Sequence, residues 1–213
     1  MSSFPPSPQP IQITIPPTLR QHTIPLSTFL TRNPQYTNLV VGALIFQPLT
    51  PTHPTRLLIL QRASTEQGFP NLWEVPGGTS DTEDPTILHS IARETFEETG
   101  LKLTRFVREV GKGVELVMGK TRWFKLSFEI EVVEMQGKKA EAVVDDVEIR
   151  LDPEEHQDYK WVTEQEIRED LYPITTAEQK EVMLEGFGLR RAGDAEIGGS
   201  CHGHHDAGPG DVP

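Results

Sequence analysis

Apolar positions along this chain fall into three patterns, and each predicts a different kind of element. Asn38 to Gln47 is β-branched and apolar without alternation, as expected of a strand buried on both faces. Arg56-Leu-Leu-Ile-Leu-Gln-Arg62 repeats that signature after a turn containing Pro48, Pro51 and Pro54, so the two read as neighbouring central strands. Leu101 to Val110 and Arg122 to Val133 alternate instead, the second with Trp123, Phe124, Leu126, Phe128 and Ile130, and read as further strands. Leu88, Ala92, Thr95, Phe96 and Thr99 recur at helical spacing, which predicts a helix over 85–99 docked by that face. Pro85 suits its start and Gly100 its stop.

Between and after these elements the signals are shorter. Gly111 to Lys120 reads as a loop or hairpin end, Glu134 to Asp146 as a charged, mobile excursion, and Val147 to Leu151 and Tyr159 to Val162 as short strands. Thr163-Glu-Gln-Glu166 is a capping-box pattern. Thr176-Ala-Glu-Gln179 opens a last helix with Val182, Met183 and Phe187 as its packing face. Strands alternating with one early and two late helices predict a single-domain α/β/α sandwich around a mixed β-sheet. Residues 1–36 form a proline-rich N-terminal arm: Pro5, Pro6, Pro8, Pro10, Pro16 and Pro17 keep 1–20 extended, and Ser27 to Thr31 fits one helical turn. The domain spans 37–187. Residues 188–213 read as a disordered, glycine-rich tail, whose Cys201, His202, His204 and His205 have no flanking scaffold to fix a metal geometry.

Charge narrows the partners. A formal net charge of -12 argues against polymeric nucleic acid and against an anionic membrane surface. A small anionic substrate then needs a metal ion or local Arg and Lys. The apolar run Leu39 to Phe46 is far short of the roughly 18 residues a membrane span requires. With a single cysteine, the chain suits a reducing compartment. It reads as cytoplasmic, with nuclear residence left open; composition does not fix its oligomeric state.

The chemistry gathers in Trp73-Glu-Val-Pro-Gly-Gly78 and Arg93-Glu-Thr-Phe-Glu-Glu-Thr-Gly100-Leu101. Glu94, Glu97 and Glu98 sit at i, i+3 and i+4 and converge on one helix face. Three crowded carboxylates call for a cation, and carboxylate oxygens suit Mg²⁺ or Mn²⁺, which complete their shells with water and phosphate. A solvated acidic face is the plainer reading of the pair Glu97-Glu98 taken alone.

Taken together these residues resemble the Nudix box, G-x5-E-x7-R-E-U-x-E-E-x-G-U, preceded by a W-E-x-P-G-G lead-in. Gly78, Arg93, Glu94, Glu97, Glu98, Gly100 and Leu101 match. Two positions depart: the stretch from Gly78 to Arg93 is one residue longer than the pattern, which leaves Asp84 or Glu83 as the first carboxylate, and Thr95 replaces an aliphatic. The resemblance implies a Nudix-like fold and metal-dependent hydrolysis of a diphosphate linkage in a nucleoside diphosphate joined to another moiety. It further implies metal ligation by Glu94, Glu97, Glu98 and the Gly77 carbonyl, with Mg²⁺ or Mn²⁺ as cofactor. Arg93 is expected to pair with the first carboxylate, and Arg62 and Gly78 to face a small nucleotide-type substrate. Glu94 is expected on the base side of the chemistry, with Glu155 as a mobile alternative drawn from the loop Asp152-Pro-Glu-Glu-His156. Two alternatives stay open: a surface ion pair for Arg62, and a sensor that binds nucleotide without turning it over, suggested by the longer box and Thr95.

Overall fold

A computed structural model describes residues 12–47, 54–135 and 147–199. Its organising feature is a split in a six-stranded mixed sheet. β1 (Asn38–Gln47) and β2 (Arg56–Arg62) pair antiparallel only where they meet, at Phe46 with Leu57 and Gln47 with Arg56. Beyond that point they diverge. β1 continues parallel to β5 (Thr121–Val132), and β2 antiparallel to β6 (His156–Thr163). The glycine-rich lead-in enters the opening between them. Its β3 (Trp73–Glu74) pairs with β2, while the Pro76 and Gly78 carbonyls accept from Ala43 and Val41 of β1 at 2.7 and 2.8 Å.

Helices cover both faces, which is why β1 shows no alternation. Leu39, Val41, Ala43 and Ile45 turn to one core, shared with Ile87, Leu88 and Ile91 of α2 (Ile87–Thr99). Leu44 and Phe46 turn to the other, shared with Ile167 of α3 (Glu164–Arg168) and Val182, Met183 and Phe187 of α4 (Ala177–Gly199). Each fully buried large aliphatic contributes about 1.5–3 kcal/mol, so the two-sided burial of β1 anchors the fold. Thr163 caps α3 in a complete capping box with Glu166. The α/β/α expectation holds, with the two central strands adjacent at one end only.

Several local expectations are corrected. Of the two readings of Gly111 to Lys120, the hairpin end holds and the loop does not, since β4 (Leu103–Met118) runs on to the turn with β5: Gly111 and Gly113 adopt φ of 78° and 80°, and the register shift between Val110 and Val114 absorbs the irregularity as a bulge. Only the turn at 119–120 interrupts it. Val147 to Leu151 forms no strand; Val147 and Ile149 are buried and Arg150 N–H donates to the Thr99 carbonyl at the end of α2. That alternation reflects covering a helix end, not a strand. Of the stretch 1–20, expected to be extended, Thr14 bridges to β4 and Pro17–His22 form a 3-10 helix with Leu19 buried; the helical turn expected over Ser27 to Thr31 lies within α1 (Leu26–Arg32), which packs Leu26 against the core. α4 passes Gly188 because Arg190 pairs with the buried Glu129 at 2.9 Å and Arg108 donates to the Leu189 carbonyl. The segment 136–146 and the Cys201 to His205 cluster lie outside the described residues.

Candidate active site

α2 carries the acidic residues, and the glycine loop decides how they are presented. A Cβ at Gly77, whose φ is 145°, would stand 2.1 Å from the Val41 carbonyl oxygen. A Cβ at Gly78 would stand 2.5 Å from Glu94 Oε2. Two bare glycines therefore let the loop lie against β1 on one side and Glu94 on the other. Gly77 N–H donates to Glu98 Oε2 at 2.6 Å, so loop and helix are joined directly at a carboxylate.

The three glutamates are not equivalent. Glu94 and Glu98 are buried, the Glu98 side chain only 4% exposed, whereas that of Glu97 is 53% exposed. Burial pushes the Glu94 and Glu98 carboxyls above their ordinary range, Glu98 well above it, since neither Arg93 beside Glu94 nor the single Gly77 amide on Glu98 offsets the lost hydration. Phe96, expected on the docking face, is 52% exposed. It lies about 100° round the helix from Thr95, and Ile87 and Ile91 fill that face instead.

Arg93 ties the site together. Its Nε and Nη2 donate to the two Asp84 oxygens at 3.1 and 2.9 Å, Nη2 also reaches the Thr79 carbonyl, and Nη1 reaches Glu94 and Glu97 at 2.8 and 2.9 Å. Of the two carboxylates left open by the longer loop, Asp84 is the partner. Burial would raise its carboxyl, but Arg93 outweighs this and holds it below the ordinary range. The lengthened loop contains a turn closed by Asp81 and Asp84: Glu83 N–H donates to Asp81 Oδ1 and Asp81 N–H to Asp84 Oδ2.

Arg62, expected at substrate phosphate, is committed to protein groups. It donates to the Gly68 carbonyl, Glu74 and Glu66 at 2.6, 2.6 and 2.7 Å. It borders a cavity of about 220 Å³ that is also lined by Gly77, Gly78, Trp123, Lys125 and Gln179. Glu155 is exposed, yet it already stands at the site without any loop movement: one ligand atom each from Glu98, Glu155 and His156 lie within 4.8 Å of one another.

Sequence reasoning missed four buried polar residues here. Glu74, quoted above only as part of the lead-in, accepts from Arg62 and stands 3.9 Å from Lys125 Nζ and 3.7 Å from His156 Nε2. Burial alone would raise its carboxyl; His156, Lys125 and Arg62 together hold it down at about 2. Burial pulls the Lys125 ammonium below its usual value, against the attraction of Glu74. His156 is 2% exposed with neither ring nitrogen hydrogen-bonded, and Gln179 Nε2 is likewise buried and unpaired. The parity of β5 carried a usable signal: Lys125, Ser127 and Glu129 share the face opposite Leu126, Phe128 and Ile130.

The donor set fits a hard divalent ion. Among the described residues, Glu98 is a buried carboxylate with no cation within hydrogen-bond reach, flanked by Glu94 and Glu155 and by an imidazole with orphaned nitrogens. A fold with a glycine loop wedged into a split sheet, above a helix bearing buried carboxylates, defines a class of hydrolase domain. The family model described as NUDIX domain matches residues 37–185, and the chain belongs to the Nudix hydrolase family. It is 45% identical over 49 residues to m7GpppN-mRNA hydrolase NUDT17 of Danio rerio, covering 23% of this chain and 16% of that one. It is 33% identical over 72 residues to 8-oxo-dGTP diphosphatase of Buchnera aphidicola, covering 34% and 48%. The chain thus aligns with less than half the length of either relative. The structure is similar to that of a C. elegans Ap4A hydrolase binary complex, with a TM-score of 0.54 and 17% identity over 74% of this chain and 99% of the other; at that identity the likeness shows the fold. Among the described residues, no helix is long and apolar enough to cross a membrane.

Proposed function

We propose that this chain is a metal-dependent hydrolase that cleaves a diphosphate linkage in a nucleoside diphosphate joined to a second moiety. One observation carries the reading: two buried carboxylates, Glu94 and Glu98, face a glycine loop at the edge of a cavity, with their helix braced to that loop by Arg93. Glu94, Glu97, Glu98, Glu155 and the Gly77 carbonyl are the groups that would hold Mg²⁺ or Mn²⁺. Such an ion offsets phosphate charge and makes water a better nucleophile.

The chain's own residues do the rest. Arg93 fixes the Glu94 and Glu97 side chains and the loop at Thr79, so the acidic groups are in place before substrate arrives. Glu94, desolvated beneath Gly78, is the group we assign to accept the proton from attacking water. Trp123 and Gln179 give the cavity a stacking surface and an unpaired amide, chemistry that suits a nucleobase. The names of the aligned relatives, which act on an oxidised nucleoside triphosphate and on a capped RNA end, support a substrate in which a nucleoside diphosphate unit carries another group.

The test is a screen of purified full-length protein against nucleoside triphosphates, dinucleoside polyphosphates and nucleoside diphosphate sugars, with Mg²⁺ or Mn²⁺. Turnover that stops on chelation and yields a nucleoside monophosphate is expected. Absence of turnover with either ion across all three classes would overturn the proposal.

A further inference from the structure

We infer that His156 is a side-chain ligand of the divalent ion at Glu98, held in orientation by the Glu74 carboxylate. This rests on the reading that the Glu98 site binds such an ion, and it adds a nitrogen donor to an otherwise all-oxygen set.

His156 opens β6 where that strand meets the bulge at Gln61 and Arg62. Its side chain is 1% exposed between two buried carboxylates: Nε2 lies 3.7 Å from Glu74 Oε1 and Nδ1 lies 3.8 Å from Glu98 Oε1. Neither nitrogen makes a hydrogen bond. A buried imidazole with two unmade bonds is costly, so something must satisfy it. A purely structural histidine would be satisfied by its neighbours, and an imidazolium clamped between the carboxylates would draw both to hydrogen-bond distance. Neither holds here.

The two sides of the ring differ in what they need. Glu74 already has Arg62 at 2.6 Å and Lys125 at 3.9 Å, so its charge is balanced and it can accept from Nε2–H. That leaves the Nδ1 lone pair facing Glu98, where no cation among the described residues stands within hydrogen-bond reach. A carboxylate orienting the far nitrogen of an imidazole whose near nitrogen binds metal is a recurrent arrangement. Ligands at about 2.1 Å from one ion stand about 3 Å apart when adjacent and about 4 Å apart when opposite. The Glu98, Glu155 and His156 donors, all within 4.8 Å, need only a small contraction to meet those separations. An imidazole in the set shifts preference from Mg²⁺ towards Mn²⁺, Co²⁺ or Zn²⁺.

The probe is Mn²⁺ added to the full-length chain, followed by calorimetry and by pulsed electron paramagnetic resonance, which detects directly coordinated nitrogen. Wild-type protein with Mn²⁺ bound is expected to show imidazole nitrogen coupling that disappears in His156→Gln, with the Mn²⁺ Kd rising about tenfold to a hundredfold and the Mg²⁺ Kd rising less. Should His156→Gln fail to fold, Glu98→Gln serves the same purpose: loss of the coupling there places the nitrogen at this site, and its persistence overturns the assignment. Bound Mn²⁺ without nitrogen coupling overturns the inference and leaves the proposed hydrolase intact. A wild-type chain that binds neither ion overturns both.

Discussion

Two buried carboxylates lie on opposite sides of one imidazole, and the chain has treated them in opposite ways. Glu74 is enclosed by Arg62, Lys125 and His156, and its carboxyl is held at about 2. Glu98 receives one backbone amide and, among the described residues, no cation, and burial pushes its carboxyl well above the ordinary range. A charge that the fold has neutralised is structural; a buried carboxylate left without such compensation is the kind of group that carries chemistry. Helix periodicity alone would have grouped Glu98 with Glu97, yet the structure sets Glu98 apart with Glu74 as its counterpart.

The sharpest way to break that comparison is to neutralise each carboxylate in turn. Glu74→Gln leaves the buried Lys125 without its carboxylate and takes one of two carboxylates from Arg62, and is expected to lower stability by about 3 kcal/mol. Glu98→Gln removes a buried, uncompensated charge and is expected to raise the stability of the metal-free chain by roughly 1 kcal/mol or more, while cutting metal-dependent turnover on the order of a hundredfold or more. Denaturant unfolding of both variants, together with turnover, checks the pair. Equal destabilisation by the two would show that Glu98 is as well compensated as Glu74.

Acid unfolding tests the same contrast with the native sequence. Glu74 has its folded pKa lowered from 4.5 to about 2, so its contribution is present above pH 4.5 and lost as pH falls towards 2, on the order of 3 kcal/mol in all. Glu98 runs the other way. Its folded pKa is raised, so the contribution of its protonated form is complete below the unfolded value and fades as pH rises through the folded one. Metal-free protein is therefore expected to lose stability through Glu74 as pH falls and through Glu98 as pH rises. Stability curves against pH should show both limbs in wild type, with the acid limb missing in Glu74→Gln and the other in Glu98→Gln.

Arg93 belongs to neither extreme: it is a partly exposed brace that serves both the fold and the site. Arg93→Ala releases Asp84, Thr79, Glu94 and Glu97 at once, and is expected to lower stability by about 1–2 kcal/mol as well as turnover. Arg93→Lys keeps one charge but not the fork on Asp84, and should recover only part of each. Thermal unfolding measured beside activity separates this from an Arg that acts on substrate alone, which would leave stability unchanged.

What the sequence made legible was local. The even burial of β1 followed from a run without alternation, Thr163 declared its own capping box, and the carboxylate spacing put Glu94 and Glu98 on one side of α2. The Arg93 partner narrowed to two neighbours in one loop, and the structure chose Asp84. Contacts made across the chain were not legible. His156 meets Glu74 only because β6 pairs with β2 and β3 pairs with β2 from its other edge. Lys125 reaches Glu74 only because β1 and β2 part to admit the glycine loop. Gly111 and Gly113 looked like loop residues because glycine marks turns and bulges alike, and pairing with β5 decides between them.

The smallest expected effect concerns Thr95, the position where the box usually carries an aliphatic. Its side chain is fully buried on the docking face of α2, and its hydroxyl has no hydrogen-bond partner. The Thr99 hydroxyl donates to the Thr95 carbonyl and accepts from Leu101 N–H, so it is Thr95, not Thr99, that leaves a polar atom stranded. Thr95→Val keeps the shape and β-branching while removing that atom. Because valine is marginally no worse in a helix than threonine and an unpaired buried hydroxyl is costly, stability is expected to rise by about 1 kcal/mol with turnover unchanged. Denaturant unfolding read against the wild-type midpoint checks the first expectation and steady-state kinetics the second. A loss of stability would mean that the hydroxyl is satisfied in solution; a loss of turnover with stability unchanged would mean that this helix face, and not only the face that carries Glu98, bears on the chemistry.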